Sequence, residues 1–151
     1  MEKEFHIPRV IMKTGLLGQI LLKKGLLSRE QLEEALSIQK KEGSLLGDIL
    51  VKKGFISEGS LCIALASQSD LCFIPLERYK ISKDIIRLIP RETAVKYSCI
   101  ALEKVGGALT VAMANPFDQD ALAALETITH YKVISVISAK SEIEELLKQE
   151  Y

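Results

Sequence analysis

A 24-residue segment occurs twice in this 151-residue chain, and no other feature narrows the possible folds as far. Leu16 to Gln39 reads LLGQILLKKGLLSREQLEEALSIQ, and Leu45 to Gln68 reads LLGDILVKKGFISEGSLCIALASQ. The copies are offset by 29 residues, agree at 13 positions and are separated by five residues, Lys40 to Ser44. A repeat of fixed period is one supersecondary unit used twice, with each copy burying the other's apolar face. The shared residues are Leu-Leu-Gly at the start, Lys-Lys-Gly in the middle and Leu-x-x-Ala-Leu-x-x-Gln at the end. That inventory looks like a binding or docking module and not a catalytic centre.

Each copy reads as a helix-turn-helix pair. Leu17 to Lys24 is an apolar helix, and Gly25 stands where a C-cap glycine takes the left-handed conformation. Lys23 and Lys24 lie in its last turn, where cations suit the negative end of the helix dipole. Ser28 is an N-cap, and Gln31 completes a capping box. The second helix carries Leu32, Ala35 and Leu36 at i, i+3, i+4 spacing. The second copy repeats this with Lys52, Lys53, Gly54, Ser57, Leu61, Ala64 and Leu65. Its cap is weaker, because Ser60 replaces the glutamine and Gly59 sits in the first turn.

Two shared positions have open readings. Gln39 and Gln68 follow Leu32 and Leu61 by seven residues, which puts an amide at the end of each apolar stripe. The amide either ties down the next loop or offers hydrogen bonds to the edge of a flat ligand. Gly18 and Gly47 either permit close helix packing or let a ligand phosphate reach backbone N–H groups at a helix N-terminus.

The doubled pattern resembles the MshEN domain, the N-terminal domain of the hexameric ATPases that power type II secretion and type IV pilus assembly. The copy length and the five-residue spacer match, and Leu88-Ile89-Pro90, Val111 to Pro116 and the closing helix resemble the domain's second half. The resemblance implies a non-catalytic regulatory and docking domain. It implies a C-terminal ATPase core in the full-length protein, and attachment to the cytoplasmic domain of an inner-membrane partner. The domain would then be cytoplasmic and peripheral to that membrane. In this family the two motifs together bind cyclic di-GMP or, in members that have lost this ability, the domain serves for docking and regulation; no other cofactor is implied. Carried onto this chain, the ligand would meet backbone at Gly18 and Gly47, the side chains of Leu17, Leu21, Leu46 and Leu50, and the amides of Gln39 and Gln68. The family's ligand-binding copies open with Arg-Leu-Gly, whereas this chain has Leu16 and Leu45 at the arginine positions. Loss of a charge-assisted contact removes roughly 1.5–3 kcal/mol, about one to two decades of affinity.

Composition sets further bounds. Lys+Arg and Asp+Glu both number 20, so no basic field argues for nucleic acid. The three cysteines, Cys62, Cys72 and Cys99, are odd in number and lie in apolar contexts, which reads as buried, reduced thiols. No apolar run approaches the roughly 20 residues of a membrane span, and Met1 to Lys13 reads as a flexible arm without signal-peptide character. His6 and His130 have no partner at metal-ligand spacing. No phosphate loop or nucleophile elbow is present, so the expectation is no catalytic and no metal residue.

The second half changes period. Leu71 to Leu76 is a candidate edge strand closed by Pro75. Ser82 caps a helix over Lys83 to Ile89, and Pro90 starts a turn through Ala94. Ser98 to Val105 and Ala108 to Met113 flank Gly106-Gly107 as a hairpin. Asp118 or Asp120 opens a helix to Thr129 that ends at His130. Lys132 to Ile137 alternates as a strand, and Ser141-x-x-Glu144 is a capping box for the final helix. The expected fold is α+β: residues 1–13 an arm, 14–68 a helical repeat pair, and 69–151 a three- to four-stranded sheet with helices packed on it. Ser69-Asp70 is the expected joint.

Overall fold

The computed structural model describes residues 16–67, 69–77 and 79–151, without the side chain of Leu16. The expected arm, His6 and Gln68 lie outside the described residues. The chain divides after Asp70 into two compact units.

The first unit contains helices α1 (Leu16–Lys23), α2 (Arg29–Glu42), α3 (Leu46–Lys52) and α4 (Glu58–Ser67). Both copies turn between their helices in the same way. The Gly25 N–H donates to Leu22 O at 3.0 Å and the Leu26 N–H to Leu21 O at 3.0 Å, while Gly54 donates to Val51 O and Phe55 to Leu50 O. This pair of bonds is a Schellman motif, and it needs the left-handed φ of +74° at Gly25 and +77° at Gly54. Ser28 and Gln31 form the reciprocal capping box, each backbone N–H meeting the other's side chain at 3.1 Å. In the second copy the Ser57 hydroxyl accepts from Ser60 N at 3.1 Å and donates to the Ser60 hydroxyl at 3.0 Å, Ser60 being too short to reach back to the Ser57 N–H. The first three spacer residues continue α2, which ends at Gly43 with φ +73°. The helices pair across the copies, α1 against α4 and α2 against α3. Leu17, Leu21, Leu27 and Ala35 of one copy and Leu46, Ile49, Leu50, Ile56, Cys62, Ala64 and Leu65 of the other form buried core.

The second unit contains α5 (Lys83–Ile86), α6 (Arg91–Tyr97), β1 (Cys99–Val105), β2 (Ala108–Met113), α7 (Gln119–Thr129), β3 (Lys132–Ile137) and α8 (Lys140–Glu150). The sheet order is β1-β2-β3, antiparallel between β1 and β2 and parallel between β2 and β3, with α7 as the crossover a parallel pair requires. Val105 pairs with Ala108, so Gly106-Gly107 is a two-residue loop. Only Gly106 has positive φ, as in a type II′ turn. The register slips by one at Leu102, a β-bulge in β1. Asp118 caps α7 by accepting from Ala121 N at 3.1 Å, and His130 closes that helix at φ 64°.

Several expectations are corrected. Leu71 to Leu76 is not a strand. It makes one parallel bridge, Phe73 to Ile137, after which Pro75 has no N–H with which to extend a ladder. The final helix begins one residue before Ser141 and is capped by Ala139 without a side-chain bond. Glu142 in its first turn serves a distant donor instead, accepting from Leu76 N at 3.0 Å. The helix from Lys83 stops at Ile86, and the turn expected after Pro90 is a full helix to Tyr97. Cys72 is exposed, whereas Cys62 and Cys99 are buried.

Candidate functional site

The doubled motif fixes where its residues can point. A Cβ on Gly18 would lie 2.9 Å from Leu32 Cδ1, and one on Gly47 2.9 Å from Leu61 Cδ1. In both copies, therefore, the glycine lets the first helix close on the leucine stripe of the second, the packing alternative of the two open readings. Leu17, Leu21, Leu46 and Leu50 are buried at 3% exposure or less. Leu45 is 42% exposed and caps α3 without a side-chain bond, so it stands at the surface where the motif begins. The Gln39 amide nitrogen donates to Ser44 O at 3.1 Å and so ties down the loop leading to Leu45. Gln68 and the Leu16 side chain lie outside the described residues.

The second unit carries a concavity that no local pattern in the sequence announces. An open groove of about 500 Å³ is lined by Tyr79, Lys80, Ser82, Ile85, Leu102, Glu103 and Lys104. It runs beside β1, whose outer edge pairs with no strand among the described residues; Cys99 to Leu102 are buried with α5 packed on the strand, and Glu103 to Val105 are exposed. The bulge at Leu102 falls in its wall. Lys104 Nζ also sits 5.6 Å from the Tyr131 ring centroid, a cation–π distance that restrains the amine. The other sheet edge is partly taken. Outward N–H groups of β3 are taken at both ends, Val133 N donating to Glu126 Oε2 at 3.0 Å and Ile137 N to Cys72 O at 2.8 Å.

Buried titratable groups of this unit are structural. Burial pushes the Cys99 thiol up to about 12. The Tyr151 hydroxyl is also raised, first by burial and then by Cys99, and donates to Ile86 O at 2.8 Å and Ile89 O at 2.6 Å. Among the described residues no group of three or more His, Cys, Asp or Glu could hold a metal ion. No helix among them is long and apolar enough to cross a membrane.

Paired helix-turn-helix copies followed by this small mixed sheet define a modular α+β domain. The MshEN domain family matches residues 69–151, and the chain belongs to that family. The matched stretch begins just after the second copy, and the likeness to individual relatives extends over the doubled motif as well. The type IV pilus assembly ATPase PilB of Myxococcus xanthus is 33% identical over 138 residues, 91% of this chain. The chain spans 24% of that relative's length. The structure of MshE with cdg (cyclic di-GMP) superposes at a TM-score of 0.76 and 34% identity, covering 89% of this chain and 98% of the other. The N-terminal domain of XpsE superposes at 0.78 and 18% identity, covering 100% and 99%, and at that identity it attests the fold alone.

Proposed function

We propose that this chain is a non-catalytic regulatory and docking domain of a type II secretion or type IV pilus assembly ATPase, attached to the cytoplasmic domain of an inner-membrane partner. The groove beside β1 carries this reading. An extended partner segment can add to an unpaired strand edge through main-chain hydrogen bonds, with side-chain pockets giving specificity. Tyr79 and Ile85 supply apolar contact, and Lys80, Glu103 and Lys104 supply polar rim. The edge expected at Leu71 to Leu76 serves less well, since that segment is no strand, and the outward N–H groups of β3 are taken at both ends. Co-purification with the partner's cytoplasmic domain tests this. Lys80→Glu and Lys104→Glu together should weaken capture at least about tenfold, roughly 1.4 kcal/mol. Undiminished capture excludes the groove.

A second reading is that the domain senses cyclic di-GMP through the doubled motif. Its support is the 34% identity to MshE, whose structure was obtained with cdg, over 98% of that chain. The ligand would lie along both copies, at Leu16, Leu17, Gly18, Leu21 and Gln39 and at Leu45, Leu46, Gly47, Leu50 and Gln68. With leucine at both motif-opening positions the affinity is expected to be weak. Leu45→Arg restores a guanidinium at an exposed position and should tighten binding by about one to two decades. Calorimetry showing no heat in either the parent or this variant at high micromolar ligand would exclude the sensor.

A further inference from the structure

The strand register fixes which side chains share a face of the sheet. Residues opposite one another on neighbouring strands point to the same side, and the side alternates along each strand. Val105, Ala108 and Lys132 are opposite one another and make one row, and Glu103, Thr110 and Ile134 make the next row on the same side. A further row on that side, Ile100, Ala112 and Val136, is buried. The first two rows are not. Val105 is 68% exposed and Ile134 49% exposed, Glu103 and Lys132 are exposed, and Ala108 and Thr110 between them are half-buried. The opposite side carries Leu109 and Val111, both fully buried, and Lys104 near the Tyr131 ring. One face of the sheet is therefore bare over its hairpin half, and only Glu103 is shared with the groove beside β1.

We propose that this bare half-face is a contact surface between two copies of the chain. Its corners argue for a second copy. Glu103 and Lys132 occupy one diagonal of the patch, and Val105 and Ile134 occupy the other. A two-fold axis lying along the aliphatic diagonal sets Val105 and Ile134 each near its own equivalent. The same rotation sets Glu103 of each copy against Lys132 of the other, so two ion pairs close and no like charges are opposed. An isologous contact requires this self-complementarity. β1 and β3 lie about 10 Å apart and the two rows about 7 Å apart, so the strands of the copies cross steeply, near the orthogonal class of sheet packing. Six side chains cover far less than the roughly 800 Å² per partner of a standard interface. The contact is therefore weak, formed at high concentration or where copies are already held together.

The test is translational diffusion of the full chain, measured by NMR at low salt from micromolar to millimolar concentration. Diffusion should slow as concentration rises, and shifts should move at Val105, Ala108, Thr110 and Ile134 while Leu109 and Val111 stay fixed. Glu103→Lys and Lys132→Glu should each raise the dimer Kd at least about fivefold, because each turns two attractive pairs into two repulsive ones. The double change, Glu103→Lys with Lys132→Glu, exchanges the charges and should bring the Kd back to within about twofold of the parent. Lys104→Glu, on the opposite face, should leave it unchanged. Diffusion that is independent of concentration overturns the proposal. So does association that ignores both single reversals, or a double exchange as weak as the single ones.

Discussion

The first copy of the repeat builds a 14-residue second helix from a reciprocal cap, and the second builds a 10-residue helix from a one-sided cap, although the copies agree at 13 positions. The agreements account for the framework. Leu17 and Leu46, Gly18 and Gly47, Leu21 and Leu50, Ala35 and Ala64 fill equivalent buried places, and Gly25 and Gly54 make the same turn. The disagreements gather on the second helix of each copy. Glu33 is exposed where Cys62 is buried, Glu34 forms an ion pair where Ile63 is exposed, and Gln31 completes a cap where Ser60 does not. One pattern therefore specifies the turn and the packing, while the surface of each copy is set separately.

The sharpest way to break this equivalence is to empty the two cores in turn. Leu21→Ala and Leu50→Ala each remove a fully buried side chain and should each cost about 2–5 kcal/mol in chemical denaturation. Values that differ by more than twofold would show that the copies are packed unequally despite their matching burial.

The two units should part company in alkali. Burial moves the Cys99 thiol from 9.0 to about 12 and raises Tyr151 as well, both in the second unit. Both groups hold their protons more tightly folded than unfolded. Their stabilisation is therefore complete below pH 9 and lost as the pH climbs toward about 12. Amide exchange should show the second unit loosening across that window, and Cys99→Ala should flatten the slope.

A smaller effect is expected at the glycines. Gly18→Val and Gly47→Val must displace Leu32 and Leu61, whose Cδ1 atoms lie 2.9 Å from the new Cβ, at about 1–3 kcal/mol each. Equal losses would support one packing geometry in both copies. The smallest concerns the caps: Ser60→Gln should restore the reciprocal bond and add about 0.5 kcal/mol to thermal stability. The same change in reverse, Gln31→Ser, should remove a similar amount, and no change in either would mean that the cap difference is inert.

What could be read from the residues was mostly local. Gly25, Gly54, Ser28 and the Gly106-Gly107 hairpin depend on partners a few residues away, and each took the conformation its neighbours dictate. Misreadings arose where the partner is distant. Ser141 has the spacing of a capping box, but the helix start is set by Ser138 bonding to Ile74 O and Glu142 to Leu76 N, more than 60 residues back. Leu71 to Leu76 has strand composition, but only the far end of β3 is available to it. The groove is assembled from residues 79–85 and 102–104, so no window of the sequence contains it. Of the ligand candidates, sequence position identified the repeated places but not that Leu45 is exposed while Leu46 beside it is buried. Exposure depends on how the helices of the two copies cross.

The short segment from Cys72 to Leu76 has a mechanical consequence. It is held by four hydrogen bonds in a row: Cys72 O and Ile74 N with Ile137, Ile74 O with the Ser138 hydroxyl, and Leu76 N with Glu142. Tension passed along the backbone from the first unit reaches these bonds before it reaches any strand of the sheet. Such a segment bears load first: its four hydrogen bonds, and the burial of Leu76 in the core, must give way before a pull along the chain disturbs the register of β1, β2 and β3.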